Sequence, residues 1–261
     1  MPDVSEEKSD QIQEQLKKPV QSKLSDNVAA MDAIMGQSVD VLKRDFMLCG
    51  SSEHPGVIYF LDGMADATIV DVVLKALITY GSERNLDPAQ LTTADMIRTE
   101  LMVNASVKPV DQIKDCIAAM VAGDTLVFIE GLQQGLIVSS RGWKDRGVEE
   151  PSSENNVRGP RDGFTETIRT NTANVRRRIR DPHLRIDSMV IGTRTQTDVN
   201  IAYITDLVKP GLVDEVKKRL SGIQIDAILE SGYIEELIED APLSPFNTVQ
   251  STERPDKAAS A

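Results

Sequence analysis

Apolar positions recur along this chain with two different periods, and the switches between them mark out its elements. Residues 24–36 carry Val28, Met31 and Met35 on one helical face, and Gly36 follows where a helix ends. Residues 39–49 and 56–61 read as strands joined by GSSEHP. The second holds VIYFL, a continuous apolar run suited to a buried strand. A helix is predicted over 66–80, with Ile69, Val72, Val73 and Leu77 inward and Gly81 as its stop. Further helices are predicted over 91–103 and 110–122, the latter with Ile113, Ile117 and Met120 on one side and Gly123 after it. Residues 125–129 and 135–139 read as a hairpin turning around Gly131. Residues 163–179 repeat Phe164, Ile168, Val175 and Ile179 at helical spacing, with Thr172 filling the gap; Asp162 reads as the N-cap and Asp181-Pro182 as the stop. A second hairpin over 188–194 and 198–207 follows. Then come a helix from Pro210 to about 220, a strand over 223–228 and a short acidic helix over 233–238.

The expected fold class is therefore α/β of a mixed, α+β kind: two subdomains with mixed sheets flanked by helices and a cleft between them. Residues 1–23 are polar and read as a flexible leader, helical in part. The first subdomain spans 24–142, a Glu/Pro/Ser/Asn-rich linker spans 143–162, and the second subdomain spans 163–241. Residues 242–261 hold Pro242, Pro245 and Pro255 and read as an extended connector.

Composition narrows the picture. Only 4% of the 261 residues are aromatic, so the core is built from Val, Ile, Leu, Ala and Met. The net charge of −12 is uneven: residues 141–194 hold twelve Lys+Arg against eight Asp+Glu, a net of +4 that leaves −16 for the rest. An acidic chain whose arginine run contains no Tyr, Trp or Phe is a poor nucleic-acid binder. Cys49 and Cys116 lie far apart in apolar contexts and read as buried free thiols, in keeping with a cytoplasmic-side location. No apolar run approaches the ~20 residues of a membrane helix, and the charged N-terminus does not read as a signal peptide.

The chemistry-bearing residues do not assemble into an enzyme. His54 and His183 are the only histidines, and neither has Cys or His at metal-ligand spacing. GxSxG, HExxH, GxGxxG and Walker patterns are missing; the two glycines of EGLQQG lack the Lys and Ser/Thr of a phosphate loop and suit a hairpin turn. Asp62 and Asp66 flank Gly63 at a strand-to-helix junction, where a carboxylate caps a helix more readily than it holds a cation. No cofactor is expected.

What stands out is the arginine-rich stretch. EEPSSENNVRGPRDGFTETIRTNTANVRRRIRDPHL, then IGTRTQTDVNIAYI, ESGYIEELIED and SPFNTVQSTERPDKAA, resembles the A subunit of the GerA family of bacterial spore germinant receptors. The matching segments cover about residues 140–261; the first 140 match only in general layout. The resemblance implies the N-terminal domain of a receptor subunit of the spore inner membrane, on the spore-core side. Such a chain continues past ERPDKAA into several membrane helices. It implies partners as well: a small nutrient (amino acid, sugar or nucleoside), the B and C subunits, and other A subunits.

Two uses of the arginines follow. In one, Arg158, Arg161 and Asp162 of VRGPRDGF, Asn171 on the helix, and Arg194 with Thr195 at the hairpin tip line the cleft between subdomains. Arginine forks suit carboxylates, and an Arg/Asp pair would hold both ends of a zwitterion. The plainer reading pairs Arg161 with Asp162 to fix the linker. In the other, Arg176–Arg180 dock on an acidic segment such as Glu235–Asp240, on another subunit or on lipid head groups, or simply form a solvated face that compensates the helix dipole. Trp143 packs the linker or walls the cleft. An assembly module without a ligand is the alternative to a sensor.

Overall fold

The apolar runs become the middle of a five-stranded sheet. In the computed structural model, which describes residues 4–84, 86–102, 106–142, 162–240 and 248–261, β1 (Val41–Met47), β2 (Pro55–Leu61), β3 (Val107–Val110), β4 (Thr125–Ile129) and β5 (Gly135–Val138) lie in the order β1-β2-β4-β5-β3. Every described pairing is antiparallel, including β2 with β4 and β3 with β5, so the sheet is not mixed in direction. Continuous apolar runs usually signal parallel sheets because helices cover both faces. Here the same double cover is laid over an antiparallel sheet. Val57, Tyr59, Leu61, Leu126 and Phe128 face one core with Met31, Ile34 and Met120. Ile58, Phe60, Val127 and Ile129 face the other with Val73, Leu77 and Ile97.

The first core is roofed by α1 (Val4–Leu16), α2 (Leu24–Met35) and α6 (Ile113–Val121). The segment read as a leader is thus part of the core at Ile12 and Val20, each 4% exposed, and Pro19 bridges to Gln112. The second core is roofed by α3 (Ala67–Lys75), by α5 (Ala94–Glu100), and by a wide turn over 76–80 that leads into the short α4 (Gly81–Glu83). Asp66 caps α3 by accepting from Thr68 N at 2.8 Å, as its position predicts.

The second sheet is a hairpin of β6 (Leu184–Ile191) and β7 (Thr197–Ile204), paired from Leu184↔Ile204 to Ile191↔Thr197. Ile191 packs with Leu220 of α8 (Leu212–Ser221) and Ile228, beside Ile234 and Ile238 of α9 (Ser231–Ile238). The predicted strand over 223–228 does not form. That segment instead crosses the hairpin tip, where Thr193 N, Arg194 N and Thr195 N donate to the carbonyls of Ile225 and Asp226. The expected extended connector contains a short helix, α10 (Pro255–Ala258), packed on α7 (Ile168–Arg178). α7 starts later than predicted, with Thr167 rather than Asp162 before it. Among the described residues no helix is long and apolar enough to cross a membrane.

Candidate functional site

The arginine helix is the element that joins the two sheets, and it does so with the residues the apolar period did not select. Phe164, Ile168, Val175 and Ile179 are only half-buried, whereas Thr172, Ala173, Asn174 and Arg176 are buried. These inward residues fall at helical spacing with Arg169. Arg169 forms an ion pair with Asp62 after β2. Thr172 Oγ1 accepts from Asn200 Nδ2 of β7 at 3.1 Å. Ala173 abuts Gly63, where an added Cβ would lie 3.0 Å from its own. Small side chains let the helix backbone come close, and the arginines then reach past them.

Arg176 is the centre of this contact. Its side chain is 0% exposed and that of Asp40 2%. Arg176 Nε donates to Asp40 Oδ2 at 2.6 Å and Nη2 to Asp40 Oδ1 at 3.1 Å. Nη2 also donates to Ser38 Oγ at 3.2 Å and Leu184 O at 3.0 Å, and Nη1 to Asp181 O at 3.3 Å. Ser38 Oγ in turn donates to Asp40 Oδ1 at 2.6 Å and accepts from Ile186 N at 2.9 Å. Val39 N donates to Ile186 O at 2.9 Å and Asp62 N to Asp40 O at 2.8 Å. A buried charge is tolerated only when paired and hydrogen-bonded, and the planar five-donor fork of arginine meets that condition here. Arg176 therefore belongs neither to a solvated face nor to a docking surface. The acidic segment expected to receive it finds another partner, since Asp240 pairs with Arg219 at 2.6 Å. Beside the pair, Arg185 donates through Nη2 to Ile34 O at 2.6 Å. Burial, then the neighbouring charge of Arg176, pulls its guanidinium below the usual arginine range. Burial holds the Asp62 carboxyl above the usual range while Arg169 pulls it the other way.

The predicted ligand residues are distributed as follows. Arg158, Arg161 and Trp143 lie outside the described residues. Asp162 Oδ2 accepts from Arg178 Nη2 at 2.6 Å. Asn171 is occupied locally, its Oδ1 accepting from Thr165 N at 2.7 Å and its Nδ2 donating to Thr165 O at 2.6 Å. Arg194 pairs with Asp226 at 3.4 Å on an exposed rim. Thr195 Oγ1 accepts from Ile228 N at 3.1 Å. None of these four lines either described cavity.

One described cavity, of about 470 Å³, is an open groove where the sheets approach each other. Val39 lines it from the strap before β1, Asp187, Ser188 and Met189 from β6, and Lys217, Lys218 and Ser221 from α8. Asp187 Oδ2 accepts from Lys217 Nζ at 2.6 Å and from Tyr203 OH at 3.1 Å. The hydrogen bond to Asp187 raises the Lys217 ammonium above its usual range, and burial, followed by Asp187, raises the Tyr203 phenol. The groove thus offers a carboxylate, ammonium groups and two hydroxyls within one small volume. Sequence reading missed Ser38, Asp40, Asp187 and Lys217. The one usable signal was an acid inside the apolar run of SVDVL, which needs a cation once buried.

The remaining chemistry is structural. His183 is buried, and its Nδ1 and backbone N both lie against Asp181 Oδ1, at 2.7 and 2.8 Å. Cys116 is buried and its thiol is pushed up to about 12 by burial; Cys49 is half-buried. Among the described residues no three His, Cys, Asp or Glu side chains gather as metal ligands.

Residues 29–261 match the family model described as Bacillus/Clostridium GerA spore germination protein. The chain is 34% identical over 254 residues to the uncharacterized membrane protein YfkQ of Bacillus subtilis (strain 168), covering 95% of this chain and 47% of that one. It is 37% identical over 222 residues to the spore germination protein GerLA of Bacillus cereus, covering 85% and 44%. The chain thus spans less than half the length of these curated relatives. Its fold is similar to the crystal structure of the N-terminal domain of the A subunit of the Bacillus megaterium spore germinant receptor GerK3. That match has a TM-score of 0.69 and 33% identity, and covers 94% of this chain and 89% of that one.

Proposed function

This chain belongs to the GerA family of Bacillus/Clostridium spore germination proteins, and from that premise we propose that it is the N-terminal domain of a germinant-receptor A subunit that senses a small nutrient and relays its binding. The groove carries this reading. Val39 from the strap before β1 and Asp187 and Lys217 from the other side face a common space that fits a small polar molecule. The carboxylate and ammonium groups match the two ends of an amino acid, and the hydroxyls of Ser188 and Ser221 match sugars and nucleosides. A ligand that prefers one spacing of the two sides shifts the population toward it, which is the simplest form of relay. The rest of such a subunit, whose relatives include a named membrane protein, would stand in the spore inner membrane with this domain on the core side. It would assemble with B and C subunits and with other A subunits. No catalytic step is part of this reading.

An assembly module without a ligand is favoured by a different observation. Leu229, just before α9, and Tyr233 and Leu237 on it are spaced by four residues and are 77%, 43% and 48% exposed, an exposed apolar set of the kind that marks partner surfaces. Ligand-observed NMR on this chain with a panel of amino acids, sugars and nucleosides separates the two. Selective, saturable binding that is lost in Lys217→Met and kept in Arg194→Ala supports sensing in the groove. Loss in Arg161→Ala and Arg194→Ala, with Lys217→Met still binding, moves the site to the arginine constellation. Silence across the panel at millimolar concentration rejects sensing by this domain and leaves assembly.

A further inference from the structure

The strap formed by Ser38, Val39 and Asp40 has two duties at once. Val39 is a wall of the groove, while the residues on either side of it are tied into the Arg176 knot. Ser38 Oγ is shared among Asp40, Arg176 and Ile186 N, and Asp40 takes two hydrogen bonds from Arg176. The opposite wall is tied to the same knot. Leu184 O accepts from Arg176 at 3.0 Å, Ile186 bonds the strap through both its N and O, and Asp187 and Ser188 come next along β6. The strap and the β6 wall are therefore both referred to one buried guanidinium, and parting them breaks bonds to that group as well as the direct Val39 N–Ile186 O bond.

We infer that Arg176 is the positioning residue of the groove: its bonds to Asp40, Ser38 and Leu184 form a fastening that sets the groove's width, and the groove opens by releasing that fastening rather than by bending either sheet. A buried pair of this kind has two arrangements, made or broken, because an intermediate leaves uncompensated charge in a low-dielectric site. That makes it a two-state element of the sort through which a ligand and a distant partner influence one another. The lysine of an Arg176→Lys variant keeps the charge but cannot form the fork or span Asp40, Ser38 and Leu184 together. Ser38→Ala removes the shared hydroxyl and leaves the ion pair in place.

The inference rests on the sensing reading for what the groove holds, but its experiment uses no ligand. Spin labels at exposed Arg44 of β1 and Asp214 of α8, in a Cys49→Ser background, report the spacing of the two sides. Amide hydrogen exchange at Val39 and Ile186 reports the strap itself. The expected result in Arg176→Lys is a broadened, longer distance distribution, with those two amides exchanging at least roughly tenfold faster and the amides of β2 and β4 unchanged, a sub-global opening. A merely structural role would lower protection everywhere without lengthening the distance. Should Arg176→Lys fail to fold, Ser38→Ala carries the test, with faster exchange at Val39, whose own acceptor Ile186 O is untouched, and a broadened distance expected. An unchanged distance distribution with unchanged exchange at Val39 and Ile186, or a uniform loss of protection, overturns the fastening. A silent nutrient panel leaves it standing.

Discussion

Gly36 holds the end of α2 at φ 60° and ψ −154°, a conformation that only glycine adopts without strain. A Cβ there would also lie 2.7 Å from Nε of Arg185, which is buried and reaches past the helix end to Ile34 O. Gly36→Ala is therefore expected to cost about 2 kcal/mol, from backbone strain and displacement of a buried cation together. It would be seen as a lower denaturant midpoint with an unchanged slope; a midpoint within error of the parent would mean that Arg185 has room to yield. The sequence made half of this readable. A glycine after an apolar-periodic stretch announces the end of a helix, and that much was evident at Gly36. That an arginine some 150 positions further on lies over it is a tertiary fact with no local trace. The same limit applies to Asp40 and Arg176. The acid stands out within SVDVL, and the arginine is one of four in RRRIR, with no local feature to mark which of them is buried.

At the scale of one element, α7 shows how a correct period can select the wrong face. Its apolar residues do recur at helical spacing, but the helix turns Thr172, Ala173 and Arg176 inward because close approach to Gly63 requires a small residue and Asp40 requires a cation. Two substitutions separate these accounts. Ala173→Leu, at a site 4% exposed, overpacks the contact with Gly63 and is expected to destabilise by about 1–3 kcal/mol. Val175→Leu, on the half-buried side, is expected to stay within about 0.5 kcal/mol. If unfolding midpoints ranked them the other way, the apolar line would be the packed face after all. Elements whose burial is set by apolar runs fared better under sequence reading: β2, β4 and β5 appear where VIYFL and the TLVFI…GLIV pair predict them. Residues 223–228 read as a strand, yet their neighbours are the carbonyl-hungry amides of a hairpin tip rather than a free sheet edge.

On the scale of the whole molecule, the two sheets are unequal, and the inequality makes the buried ion pair important. The five-stranded sheet has a core on each face. The hairpin side buries Ile191, Leu220 and Ile228 fully, with half-buried residues around them, which is little for an independently stable unit. Its order depends on α7 and the strap, so the described residues should unfold in one cooperative transition with both sides reporting the same midpoint. Arg176→Met leaves Asp40 buried without its cation, and Asp40→Asn leaves Arg176 buried without its anion; each is expected to cost about 3–5 kcal/mol. The double variant Asp40→Asn/Arg176→Met removes both charges, so its loss should fall well short of the sum, with a coupling of about 1–3 kcal/mol between the sites. Denaturant unfolding measures all four corners of that cycle, with amide protection in β4 and in β6 as separate probes of the two sides. In either single variant, separation of the two probes would mean that the hairpin side has come loose while the five-stranded sheet holds. Strict additivity with coincident probes would mean that apolar contacts alone join the sheets and that the arginine concentration of this acidic chain has another purpose.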